Sequence, residues 1–190
     1  MNRIDKFRGC LIGGAAGDAL GYAVEFLNTD QIVRKYGASG ITAYELENGI
    51  AQISDDTQMT LFTANGLLLG TTRGMMRGIM AEHRHYVACC YLDWLRTQDG
   101  ALSSQGEHHY SWLINVPALF ARRAPGTTCL SAIYAGGQGT IEQPINQSKG
   151  CGGIMRAAPV GLYFGNKQTF SQKQINRIGA EVAAITHGHE

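Results

Sequence analysis

SDDTQMTLFTANGLLL, residues 54–69, sets the fold class. Ser54 is a capping residue, and Asp55 and Asp56 put negative charge where a helix would begin. The apolar-periodic run over residues 59–69 then continues as that helix. Working outward toward the C-terminus, residues 79–96 read as a second helix ended by Gly100, with Tyr86, Cys90 and Leu95 among its apolar positions. Residues 101–111 are polar and loop-like. Residues 113–122 read as a short helix in which Pro117 sets a break or a first turn. Thr127 or Thr128 caps another, running to Tyr134. A glycine-rich loop over 147–153 leads into a helix over 154–164. The last helix covers 171–185, with Ile175, Ile178, Val182 and Ile185 three and four apart. Toward the N-terminus, residues 3–26 read as a helix with a break expected near Gly13 and Gly14. Residues 29–52 read as loop, with a short extended piece around 41–46. Alternating β-branched patterns are scarce, so the chain reads as all-α, many short helices in a single domain over residues 1–190.

Composition narrows the function classes. The chain has 190 residues, enough for one cored domain and short for two. Charged residues are 16% against an average of about 25%, which excludes charge-driven disorder. The net charge of +1 argues against a general nucleic-acid or membrane-surface binder. Five cysteines with no CxxC spacing argue against a disulfide framework or a cysteine-based zinc site, and a reduced, cytoplasmic setting is expected. Arg3, Lys6 and Arg8 precede an apolar stretch, but Asp5 and Asp18 interrupt the pattern of a signal peptide. No run of about 18 apolar residues is present to span a membrane.

Glycine is abundant, 25 residues in 190. Gly9, Gly13, Gly17 and Gly21 recur every fourth residue, a bare stripe on one helix face that predicts close approach by another helix or a ligand.

Several residues carry candidate chemistry. Asp55 and Asp56, with Ser54 and Thr57 beside them, offer four oxygen-bearing side chains in a row. A helix cap and a hard-cation site both account for them. Asp18 and Glu25 lie seven apart, on one face if the first helix reaches residue 26; buried there, they would need a metal or a hydrogen-bond network. His83 and His85 do not share a helix face, and His108 and His109 sit in a polar stretch where exposure is expected. His187 and His189 stand in Thr186-His187-Gly188-His189, and zinc spacing is not met convincingly by any of them. Lys149-Gly150-Cys151-Gly152-Gly153-Ile154-Met155-Arg156 would place backbone amides at a helix N-terminus, an anion site, or would be a tight turn packing two helices. It lacks the ending of a P-loop and the preceding strand of a dinucleotide fingerprint. Cys151 has no basic partner near it in sequence to make it a nucleophile.

Four ordered stretches together resemble the ADP-ribosylglycohydrolase family, the relatives of dinitrogenase-reductase-activating glycohydrolase. They are Phe7-Arg8-Gly9 through Gly17-Asp18-Ala19-Leu20-Gly21 to Glu25; Ser54-Asp55-Asp56-Thr57-Gln58-Met59-Thr60; Ser148-Lys149 through Arg156 with Ala158-Pro159; and Thr186-His187-Gly188-His189. Arg123-Ala124-Pro125-Gly126-Thr127 is similar to the family as well.

The resemblance implies an all-α orthogonal bundle with a binuclear Mg²⁺ site. It implies hydrolysis of the bond joining ADP-ribose to a modified protein side chain or a small conjugate. By position, Ser54, Asp55 and Asp56 would be metal ligands, and Glu25, Asp55 and Asp56 the catalytic acids. Gly150, Cys151, Gly152, Gly153, Ile154 and Met155 would hold the diphosphate and ribose, with His187 near them. The family's C-terminal Asp-x-Asp-Ser/Thr segment has no counterpart here. The resemblance is therefore to the N-terminal part of the family's chains, lacking the C-terminal helices and half of the metal site. That shortfall adds two other expectations: a non-catalytic ADP-ribose-binding pseudoenzyme, and self-association through uncovered helix faces. Low charge and high Gly/Ala content add a third, a structural, crystallin-like protein. Arginine-, serine-, thymine- and ester-linked ADP-ribose all suit the motifs.

Overall fold

The computed structural model describes residues 2–79, 81–99, 108–165 and 167–189. Among them are seven α-helices and no strand, only an isolated bridge between Glu47 and Ile50. The helices are α1 (Arg3–Gly21), α2 (Thr29–Tyr36), α3 (Asp55–Arg77), α4 (His83–Gln98), α5 (Thr127–Tyr134), α6 (Ala158–Phe164) and α7 (Gln172–Ala184). Three 3₁₀ turns stand between them, at Trp112–Asn115, Pro117–Leu119 and Cys151–Gly153. The all-α expectation holds. The chain divides into two compact units, Met1–Thr57 and Gln58–Glu190, with the boundary inside the first turn of α3.

In the first unit, Asn2 and Asp5 form a reciprocal capping box that starts α1. The helix runs unbroken through Gly13 and Gly14 and stops at Gly21, five residues short of the expected end; residues 22–26 continue as turns. Residues 29–36, expected as loop, are helical. Asn28 and Gln31 form a second capping box, and Gly37, at φ +82°, closes α2 in a conformation other residues rarely adopt. Residues 41–46 form no strand.

The glycine stripe does not serve close packing. A Cβ at Gly9, Gly13, Gly17 or Gly21 would meet no atom within 4 Å. Close packing by glycine occurs instead in the second unit. A Cβ at Gly66 would stand 2.6 Å from Val87 Cα, so α3 and α4 cross there at backbone contact. The consequence is a pair of opposite expected results. Gly13→Ala should raise stability by about 0.5–1 kcal/mol, because it adds helix propensity in open space. Gly66→Ala should lower it by about 1–3 kcal/mol, because the backbone in its way cannot yield without separating two helices. Urea unfolding of the two variants checks both signs.

The core of the second unit joins Met59, Phe62 and Leu67 of α3 to Val87, Cys90, Tyr91 and Trp94 of α4. Cys129 and Ile133 of α5, Val160 and Phe164 of α6, and Val182 of α7 complete it, with Ile185 just beyond α7. Gln58 and Asp93 are held by hydrogen bonds inside it, whereas Gln98 Oε1 and Arg156 Nε are buried without a hydrogen-bond partner. Gln58 Oε1 accepts from Trp94 Nε1 and from Gln98 Nε2, each at 3.0 Å, while Gln58 Nε2 donates to the Ala121 carbonyl. Asp93, also buried, accepts from the amides of Tyr110 and Ser111, both at 2.7 Å. Those bonds tie the segment after residue 108 to α4.

Other boundaries shift for local reasons. Gly78 at φ +68° ends α3, and α4 starts at His83 rather than 79. The expected stop at Gly100 and the loop over 101–107 lie outside the described residues. The helix expected over 113–122 is split by Pro117 into two 3₁₀ turns. Gly126, not a threonine, stands at the cap of α5. The helix expected from residue 154 begins at Ala158, because the amides of Ile154 and Met155 both close back on the Cys151 carbonyl. The last helix, expected over 171–185, spans Gln172–Ala184, with Ser171 as its N-cap.

Candidate active site

The acidic cluster lies in the first unit. Ser54 is buried immediately before α3, Asp55 is buried at the helix's first position, and Asp56 is half-buried. Asp18 reaches them from α1. Its Oδ2 accepts from the Ser54 amide at 2.9 Å, the Thr57 amide at 3.2 Å and Thr57 Oγ1 at 2.5 Å, and its Oδ1 accepts from Ser54 Oγ at 2.7 Å. One carboxylate thus caps a helix 36 to 39 residues away in sequence and satisfies donors that α3 leaves open. Ser54 Oγ also accepts from the Asp56 amide at 3.2 Å and lies 3.3 Å from Asp56 Oδ2.

The charges of this cluster strain against one another. Burial, and then the charge of Asp18, raise the proton affinity of Asp56. Burial, then Asp56 and then Asp18, do the same for Glu25. Glu25 is therefore electrically coupled to the cluster, but not by the route the sequence suggested. Because α1 ends at Gly21, Asp18 and Glu25 do not share a helix face; Glu25 sits in the turns that follow.

The donor set suits a hard cation. Serine hydroxyl and carboxylate oxygens are what Mg²⁺ takes, and a bound cation would offset the burial and the repulsion that together raise Asp56 and Glu25. As the side chains stand, no group of three or more His, Cys, Asp or Glu among the described residues is gathered to enclose a metal.

The glycine loop lies in the second unit. It is a 3₁₀ turn rather than a helix N-terminus, with Gly150, Cys151 and Ile154 exposed and Gly153 buried. Its glycines meet His187. A Cβ at Gly150 would stand 3.1 Å from His187 Nε2, and a Cβ at Gly152 would stand 2.7 Å from His187 Cε1 and 2.8 Å from Cys129 Sγ. Met155 joins the loop to α3, since its carbonyl accepts from Thr60 Oγ1 at 3.2 Å. The structure thus brings Gly150–Met155 and His187 together within one unit.

Two residues without an assigned role build this arrangement. Asn146 is a clamp: its Nδ2 donates to the Thr186 carbonyl at 2.8 Å, and its Oδ1 accepts from the amides of Ser148 and Gly188, each at 3.0 Å. Arg156 is fully buried. Its guanidinium lies 4.7 Å above the Tyr91 ring and donates to the carbonyls of Val182 and Ala183 at the end of α7, at 3.4 and 3.3 Å. The sequence signal for it was a lone arginine inside an apolar stretch.

His109, expected to be exposed, is mostly covered; Arg96 donates to its Nδ1 at 2.9 Å, and Asp93 Oδ1 lies 3.4 Å from the same atom. His83 and His187 are both held toward the neutral form. Burial and then Lys167 lower His83, and burial and then Arg156 lower His187. Unfolded histidines titrate at their ordinary 6.5 and take up protons first, so stability falls as pH drops through 6.5 and is retained above it. The urea midpoint should therefore decrease between pH 7.5 and pH 5.5, and the decrease should shrink in His187→Gln.

The family model for ADP-ribosylglycohydrolase matches residues 1–190. The chain belongs to the ADP-ribosylglycohydrolase family. No curated protein and no solved structure matches it. Among the described residues, no helix of this family member is long and apolar enough to cross a membrane.

Proposed function

We propose that the chain hydrolyses the bond between ADP-ribose and a modified protein side chain or small conjugate, in a Mg²⁺-dependent reaction. The observation that supports this most is the family match over the whole sequence, which includes the turn Ser54-Asp55-Asp56 that Asp18 caps. In this reading Ser54, Asp55 and Asp56 hold Mg²⁺. Bound there, the metal supplies Lewis acidity toward ribose hydroxyls and a water of lowered pKa.

The remaining work falls to the chain's own residues. Glu25, whose proton affinity is already raised, accepts the proton of the attacking water at its carboxylate. The water oxygen bonds to the anomeric carbon. The bond from that carbon to the modified group breaks, and its electron pair leaves with the group; a nitrogen or alkoxide leaving group takes up the proton held at Glu25, and a carboxylate leaves without it, Glu25 then returning its proton to solvent. The turn Gly150–Gly153, with Ile154, Met155 and His187, receives the diphosphate and ribose.

The test is release of free ADP-ribose from arginine-, serine- and ester-linked conjugates, in Mg²⁺ and in EDTA. Release from at least one linkage in Mg²⁺ alone is the expected result. Binding of ADP-ribose without release would instead indicate a pseudoenzyme, and neither binding nor release a structural protein.

A further inference from the structure

The hydrogen bonds around His187 fix which of its nitrogens carries the proton. Thr186 is fully buried, and its Oγ1 lies 2.5 Å from an Arg156 guanidinium nitrogen and 2.8 Å from His187 Nδ1. A guanidinium only donates, so the Thr186 oxygen accepts from Arg156 and must place its own proton elsewhere. Among the described residues, His187 Nδ1 is the acceptor in reach. Nδ1 therefore presents its lone pair, and the ring proton sits on Nε2. Were Nδ1 protonated, a buried hydroxyl proton would lose its acceptor and be left unsatisfied. The opposite edge of the ring lies on the glycine turn, where Gly150 and Gly152 leave room for it and a Cβ at either would crowd Nε2 or Cε1. Asn146 holds the backbone on both sides of His187, through the Thr186 carbonyl and the Gly188 amide.

We propose that Arg156 and Thr186 are positioning residues that lock His187 as a neutral Nε2–H donor at the glycine turn, where it binds an acceptor oxygen of ADP-ribose. Arg156 does this from the interior. It ties the end of α7 and the hydroxyl of Thr186 to one rigid group, and the order passes to the ring through a single hydroxyl. The ligand half of the proposal rests on the ADP-ribose reading of the turn; the tautomer half does not.

The test is ¹⁵N NMR of the histidine rings in the full chain at pH 7, with and without ADP-ribose. Thr186→Val removes the hydroxyl at nearly constant shape, and Thr186→Ser keeps it. The expected wild-type spectrum shows His187 neutral with the proton on Nε2, and Thr186→Ser reproduces it. Thr186→Val loses that fixed pattern, and its ADP-ribose affinity falls about tenfold, while Thr186→Ser stays within about twofold. A wild-type ring protonated on Nδ1, or a folded Thr186→Val with unchanged tautomer and affinity, overturns the proposal. Should Thr186→Val not fold, the wild-type and Thr186→Ser spectra still decide the tautomer. A wild-type ring with the Nε2 proton but no ADP-ribose binding overturns the ligand half together with the functional reading of the turn, and leaves the tautomer lock standing.

Discussion

Replacing Asp55 and Asp56 together by asparagine is expected to lower Mg²⁺-dependent release of ADP-ribose by at least about 10³-fold, the scale on which electrostatic groups of an active site act. The substitution is nearly isosteric and removes two negative charges from the turn proposed to hold the cation. It leaves the cap of α3 in place. Asp18 still accepts from the amides and hydroxyls of Ser54 and Thr57, and the Asp56 amide still reaches Ser54 Oγ. It also removes a carboxylate charge that burial, and then the charge of Asp18, disfavour at residue 56, so the metal-free variant should keep its helical circular dichroism. A folded chain without turnover separates a functional use of these charges from a capping one. Undiminished release from the double variant would mean that the acids only start a helix.

Gly152→Ala is the second large effect. A methyl group there would meet His187 Cε1 on one side and Cys129 Sγ on the other, at 2.7 and 2.8 Å. Neither is free to give way. Cys129 is 1% exposed in the core, and His187 is held at Nδ1 by Thr186 and through its neighbours by Asn146. The turn must therefore move off the histidine. Stability should fall by about 1–3 kcal/mol. ADP-ribose release should fall about 10²-fold, as expected when groups that bind the substrate are displaced by about an ångström. Gly161→Ala is the control, because a Cβ there meets nothing within 4 Å. Titration calorimetry with ADP-ribose and the release assay read the two variants side by side. Equal binding by Gly152→Ala and wild type would show that ligand does not use this turn.

The contrast between those two sites reflects what a sequence can display. The start of α3 was legible because its signals, Ser54, the acidic pair and the apolar period, are local. The start of α2 carries a local signal too: Asn28 and Gln31 spell a capping box as clearly as Asn2 and Asp5 do, but three glycines between residues 37 and 49 give the stretch the composition of a loop. The α6 boundary was misplaced because the turn at Cys151 closes on its own carbonyl, and glycine content alone does not distinguish that turn from a helix start. The glycines of α1 and α3 exchanged roles for a related reason. Periodicity marks a bare face, but only the neighbouring helix decides whether anything approaches it.

The candidate site shows the same division. Ser54, Asp55 and Asp56 are consecutive and could be read directly. Asp18 as the cap of α3, and Arg156 as the support of Thr186, act across 36 and 30 residues, a separation at which spacing carries no information. The spacing of Asp18 and Glu25 predicts a shared helix face, which does not form because α1 ends at Gly21. The charge coupling is present nonetheless, because the turns after Gly21 keep the carboxyl near Asp18 and Asp56.

The most direct test of the central claim is a single-turnover time course with the wild-type chain in excess over an ADP-ribosylated protein, followed by intact mass. The account predicts loss of one ADP-ribosyl mass per modified site after Mg²⁺ is added, appearance of free ADP-ribose in equal amount, and no change in EDTA. A modified protein that keeps its full mass in Mg²⁺, beside a chain shown by circular dichroism to be folded, would contradict it.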